Sequence, residues 1–324
     1  MTRRTTTGLA VCLLVATMTN VSALPVSAHG SRPDTYELTG DEGGSKFEGI
    51  GVDRRQRTFY VSEVTGGEIH RGDVRTGETN EWMPEGADGR FTARGITTDR
   101  HDRIYIAGGP NGIGTDRPDL WVYESDGTLL AALRVDEPNA FINDVTIGPD
   151  GAAYFTNSNA PQIFRVAEHG GSWQVTTWAD ATGTIATPPG FNLGGIVVSR
   201  DRSALIVAQG NVGELWRFDL ATANATGVAL GGADVTNADG LVLRGRNLIV
   251  VRNFSRVLTT LQVDAAGQQA HLVNEIATDP DRVFTTAKIA RGRLLLIDSH
   301  FDEPIAQPPY EVVALGLGHI LGHR

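Results

Sequence analysis

Along this chain, short apolar runs alternate with turns rich in Asp, Arg and Gly, and the alternation has a long period. The phrase EGIGVDRRQRTFYVSE from Glu48 recurs as RGITTDRHDRIYIAGG from Arg94 and NDVTIGPDGAAYFTNS from Asn143. It recurs again as GGIVVSRDRSALIVAQ from Gly194, DGLVLRGRNLIVVRN from Asp239 and TTAKIARGRLLLIDS from Thr285. Each copy holds an apolar strand, a turn and a second apolar strand. Most are followed by an apolar-charged alternation, such as GEIHRGDV or GELWRFDL, that predicts a further half-exposed strand. The copies start 46, 49, 51, 45 and 46 residues apart, a period that suits one four-stranded blade per repeat. No segment carries an amphipathic helical pattern of a dozen residues or so. The pattern therefore predicts an all-β, six-bladed β-propeller with four-stranded blades around a central channel. Its core lies between blades, so residues 29–324 are expected to form one domain with no linker. The segments DTYELTG near Tyr36 and PYEVVAL near Tyr310 are candidates for a shared blade that closes the ring.

The N-terminus departs from this pattern. Arg3 and Arg4 precede an apolar run from Gly8 to Ala16, and small residues at Val26, Ser27 and Ala28 suit a signal peptidase. Residues 1–28 read as a secretory signal, which predicts a secreted protein. The only cysteine, Cys12, falls inside it, so the mature chain has no thiol for disulfides, metal sites or nucleophilic catalysis. Without the signal, 26 basic and 38 acidic residues remain, a net charge of −12. That balance argues against nucleic acid and anionic membranes as partners and leaves cations and small molecules. A monomer is expected.

In a propeller the residue that opens the innermost strand of each blade points to the common axis. Here these residues are Glu48, Arg94, Asn143, Gly194, Asp239 and Thr285. Asn, Asp and Thr are also ordinary strand-opening turn residues, which is the bland explanation. Two carboxylates and a carboxamide around one axis are, however, a hard-oxygen donor set, and a divalent cation offsets their mutual repulsion. The motifs EGI at Glu48, ND at Asn143 and ADG at Asp239 resemble those of the SMP-30/gluconolactonase/LRE-like, or regucalcin-like, family across all six repeats. That resemblance implies a propeller that holds a divalent metal through a Glu, an Asn and an Asp, with a second Asn contacting substrate or metal-bound water, and that often hydrolyses lactones. Carried over, the metal Glu is Glu48, the metal Asp is Asp239 and the substrate-side Asn is Asn143, also a candidate metal ligand. The remaining metal Asn falls on Gly194. Asn192 lies two residues earlier on the same side of the strand, about 6 to 7 Å away. Because Gly194 and Gly195 suit a bulge, either Asn192 is carried inward, or water fills the gap, or the metal site is degraded.

Phe141 stands where sugar-lactone members of the family have an arginine. Phe47, Phe91, Phe191 and Phe284 likewise precede the channel positions of other repeats. They pack between blades or form an apolar rim over a polar floor, and the rim reading favours an apolar ester or lactone. Arg94 would orient a substrate carbonyl or pair with Glu48. His300 is a candidate for the mouth of the channel or an ordinary turn residue. No GxSxG or HExxH motif is present.

These features point to a secreted, metal-dependent hydrolase of lactonase or esterase type. Phe141, Phe191, Arg94, Asn143 and His300 would contact substrate and Asp239 would act as general base. The all-oxygen donors favour Ca²⁺ over Zn²⁺, Mg²⁺ or Mn²⁺. Two rivals share the fold: a small-ligand-binding propeller without turnover, and a metal-free enzyme resembling strictosidine synthases.

Overall fold

The computed structural model describes residues 32–109 and 117–322. The expected signal at residues 1–28 lies outside them. The described residues form one compact unit.

Six four-stranded antiparallel sheets build the chain into a six-bladed propeller. Five blades use four consecutive strands each. The sixth takes its outer strand from the other end of the chain: Thr35–Leu38 pairs with Tyr310–Gly316 in a register of Thr35 with Val313 and Leu38 with Tyr310. The two segments expected to close the ring do so. The Tyr36 hydroxyl also donates to the Val74 carbonyl of the first blade at 2.8 Å, tying the closure to the blade beside it.

The apolar runs are nearly unbroken because each blade is covered on both faces. In Ile104–Gly108, Ile104 and Ile106 pack toward the first blade, whereas Tyr105 and Ala107 pack toward the third. In Ala204–Gln209, Leu205 and Val207 face one neighbour and Ile206 and Ala208 the other. Six apolar clusters result, one at each blade junction. A period-2 strand with two buried faces reads as a continuous apolar run.

One irregularity recurs in every innermost strand and positions the site. In Phe47–Val52 the pairing shifts between Phe47 and Ile50. The same shift falls between Ala93 and Ile96, Ile142 and Val145, Leu193 and Ile196, Ala238 and Leu241, and Phe284 and Ala287. Two residues then oppose one, which is a β-bulge. The first bulged residue is the strand-opening residue picked out by the repeat, at 48, 94, 143, 194, 239 and 285. The bulge at Gly194 and Gly195 is thus a property of the fold and not of the paired glycines.

Hydroxyl groups fasten these bulges to neighbouring blades. Ser62 Oγ donates to the Arg94 carbonyl, Thr156 Oγ1 to the Gly194 carbonyl at 2.8 Å, and Thr285 Oγ1 to the Glu48 carbonyl at 2.8 Å. The second bulged residue lies hard against the next blade. A Cβ on Gly195 would come within 2.1 Å of the Asp239 carbonyl oxygen, and one on Gly49 within 2.0 Å of that of Arg94. Gly195 is therefore required by packing. Gly194 is not: a Cβ there would meet only Asp239 Oδ1, at 3.7 Å, and its carbonyl oxygen, at 4.0 Å.

Candidate functional site

The bulges open into a cavity of ≈ 440 Å³ at one end of the channel. Glu48, Arg94, Asn143, Gly194 and Asp239 all line it, together with Asn192, Phe141 and Phe191. Thr285 does not; its hydroxyl is spent on the Glu48 carbonyl.

Glu48 is almost completely buried, with 8 % of its surface exposed. Burial pushes its carboxyl up to about 8; Arg94 opposes the shift, and Asp239 and Asp144 add to it. Arg94 Nε stands 3.8 Å from Glu48 Oε2, too far for a hydrogen bond. Instead Arg94 Nη1 donates to the Gly108 carbonyl at 3.1 Å, and the guanidinium lies 3.9 Å from the centre of the Phe141 ring. Its Nη2 is buried and has no partner among the described residues. Arg94, a lining residue, therefore keeps an unspent donor buried in the cavity wall.

Asp239 keeps one edge open to the cavity and is enclosed elsewhere. Desolvation raises its carboxyl to about 7, a hydrogen bond from Asn253 Nδ2 to Oδ2 at 2.9 Å works against the rise, and Asp144 adds to it. Its Oδ1 faces the room left by Gly194. Asn143 spends its Nδ2 on Ser158 Oγ at 2.9 Å, and Ser158 passes the bond on to the Leu193 carbonyl at 2.7 Å. This fixes the amide so that Oδ1 is the atom left for a ligand.

Asn192 does not fill the place of Gly194. Its Nδ2 donates to the carbonyls of Ser158, Pro188 and Gly190 at 3.1–3.3 Å. Its Oδ1 already accepts from Gln209 Nε2 and Asn211 Nδ2, both at 3.0 Å. Both lone pairs of that oxygen are engaged, so Asn192 reaches the cavity wall without offering a ligand atom. His300 is likewise set apart. It does not line the cavity; its Nδ1 pairs with Glu303 Oε1 at 2.7 Å and its ring packs edge-on against Tyr310. The next residue, Phe301, takes the cavity position.

The five phenylalanines divide. Phe47 and Phe284 are buried between blades, and Phe91 carries the Arg117 guanidinium at 3.9 Å. Phe141 and Phe191 line the cavity with ring centres 4.8 Å apart.

Several site residues lie away from the strand openings. Ser158, Asn211 and Asn253 follow the second strand of three different blades and all line the cavity. Asn211 Oδ1 is buried and unpartnered among the described residues. Ser158 and Asn253 are equivalent in the repeat, each following the partner of the residue before the bulge, whereas the fourth blade has Gly210 there and Asn211 comes one residue later. Asp144 is different: it sits in the second bulge position, where the first, second, fourth and fifth blades have glycine, and accepts from the Val145 and Ile196 amides at 2.8 and 3.2 Å. Burial raises its carboxyl, with Lys288 opposing. It adds a third buried carboxylate beneath the cavity.

The donor set suits a hard cation. Burial and the Asp239 and Asp144 carboxyls disfavour the charge on Glu48, carboxamide groups line the same cavity, and the Asn211 carboxamide oxygen is an orphan among the described residues. Among the described residues, no three His, Cys, Asp or Glu side chains are gathered tightly enough to hold a metal alone, so neutral oxygens would have to complete any cation's shell.

The sequence profile of the SMP-30/gluconolactonase/LRE-like region matches residues 47–280. The chain belongs to that family. No curated protein matches it. Among solved structures it is similar to a gluconolactonase from Xanthomonas campestris, with 16% identity, TM-score 0.59 and coverage of 88% of this chain and 99% of the other. It is similar to the calcium-binding protein regucalcin from Agrobacterium tumefaciens, with 17% identity, TM-score 0.58 and coverage of 87% and 96%. The major allergen Mala s 1 of Malassezia sympodialis gives 16% identity, TM-score 0.65 and coverage of 88% and 96%. At these identities the structural matches speak for the fold alone.

Proposed function

We propose that this family member is a secreted hydrolase of lactonase or esterase type that works with a divalent cation on a small, fairly apolar lactone or ester. The observation that carries the reading is the convergence of Glu48, Asn143 and Asp239 on one cavity. Glu48, Asp239 and the Asn143 carboxamide oxygen would hold the cation, and their all-oxygen chemistry favours Ca²⁺. Such an ion supplies Lewis acidity and makes water more acidic.

The chain's own groups supply the rest. Asp239 Oδ2 is held by Asn253, which leaves Oδ1 to take the proton of the attacking water from the space beside Gly194. The unspent Nη2 of Arg94 would donate to the substrate carbonyl, and more strongly as that oxygen gains charge. The Phe141 ring under the guanidinium excludes water from this contact. A panel of lactones and esters assayed before and after chelation tests the reading. Hydrolysis that stops on chelation, returns with Ca²⁺ and is lost in Asp239→Asn supports it; activity indifferent to both refutes it.

A second reading is ligand binding without turnover, and one observation favours it. Position 194 carries no side chain, and the nearest carboxamide, Asn192, is fully engaged. If Gly194→Asn raises cation affinity and neither protein hydrolyses any member of the panel, this reading replaces the first.

A further inference from the structure

The cavity is layered. Its charged and amide groups come from bulges and second-strand ends, whereas Val64, Phe141, Phe191, Phe254 and Phe301 come from these ends or the loops beside them in five blades. Two of these aromatics are left in water: Phe191 is 63% exposed and Phe254 is 49% exposed. Neither belongs to an inter-blade cluster, so the fold gains little from them, although large apolar side chains are stabilising when covered. Val212, next to the cavity residue Asn211, adds a third exposed apolar side chain near this end.

The rings are also ordered from floor to mouth. The Arg94 guanidinium lies on Phe141 at 3.9 Å, and Phe141 contacts Phe191 with ring centres 4.8 Å apart and planes inclined by 48°. A continuous stack therefore runs from the donor on the floor to an exposed ring outside. Elsewhere on the wall, Phe254 donates its amide to Asn253 Oδ1 at 2.6 Å, and Asn253 holds Asp239. Two exposed rings are thus each coupled, through one residue, to a group that would handle the reacting carbonyl.

We propose that Phe191 and Phe254 form a subsite for an apolar substituent on the substrate, which makes the substrate class lactones bearing an unbranched alkyl or arylalkyl tail. The proposal rests on the lactonase reading for the head group only. A carbonyl held near Arg94 and Asp239 directs its substituent outward, along the stack. Because the rings are open to solvent, the tail is gripped over its first few carbons and then leaves the protein. Selectivity should rise with tail length and level off early.

The test uses two series on the full mature chain: γ-alkyl-γ-lactones with tails of increasing length, followed by hydrolysis, and the corresponding 3-alkylcyclopentanones, which cannot be hydrolysed, followed by calorimetry. Each added methylene should raise kcat/KM and ketone affinity by about threefold over the first few carbons. Phe191→Ser and Phe254→Ser should each flatten that slope. Both positions are exposed, and thermal unfolding checks that the variants fold. A slope that survives both substitutions, or affinity indifferent to tail length, overturns the subsite. If no lactone is hydrolysed while ketone affinity keeps its slope and loses it in the variants, the catalytic reading fails and the subsite stands.

Discussion

Neighbouring blades four and five open on the same bulge, and at its first position one has a side chain and the other has none. In the fifth blade Asp239 carries a carboxylate to the cavity; in the fourth Gly194 leaves empty room beside Asp239 Oδ1. The register of the bulge is the same in both, so the propeller repeats this position irrespective of what occupies it. Chemistry is then decided position by position, and at 194 this chain carries no side chain.

The comparison breaks most sharply at Asp239. Asp239→Asn keeps the shape and removes the base, and it should lower kcat/KM for any lactone substrate by about 10²- to 10⁴-fold, read from steady-state rates at saturating Ca²⁺. The paired glycines come next. Gly195→Ala drives a methyl against backbone and should cost about 3 kcal/mol, whereas Gly194→Ala enters open space and should shift stability by about 0.5 kcal/mol at most. Urea denaturation of both variants measures the contrast. Gly194→Asn should retain the fold and tighten Ca²⁺ binding by about tenfold by supplying a neutral oxygen, measured by calorimetry.

A further contrast is in pH. Glu48 and Asp239 have carboxyls raised to about 8 and about 7 when folded. The folded, cation-free protein therefore binds more protons than the unfolded chain between the ordinary carboxylate range and these values. Their contribution to stability is present at low pH and is lost as pH rises from about 4 to about 8. Stability of Asp239→Asn should fall less over that interval, in denaturation series without metal.

Much of this was legible in the sequence. The repeat period gave blade number, the apolar runs gave doubly covered strands, and the strand openings brought Glu48, Arg94, Asn143 and Asp239 to one place. What escaped depended on contacts between repeats. Asn192 stands near the right place in the chain, but its amide is consumed by Ser158, Gln209 and Asn211, which a strand pattern does not reveal. Asp144 was hidden behind Asn143 because alternation along a strand turns successive residues to opposite faces, and a bulge suspends that rule. His300 was left open between the mouth and a turn; its backbone φ is 55°, and it is the next residue, Phe301, that lines the cavity.

The account rests on Glu48 and Asp239 sharing one divalent cation, and calorimetric titration of Ca²⁺ into chelator-stripped protein tests it most directly. One ion per chain, with binding abolished when Glu48→Gln and Asp239→Asn are combined, is the predicted result. An affinity left unchanged by that double substitution, or no uptake at millimolar Ca²⁺, would contradict it.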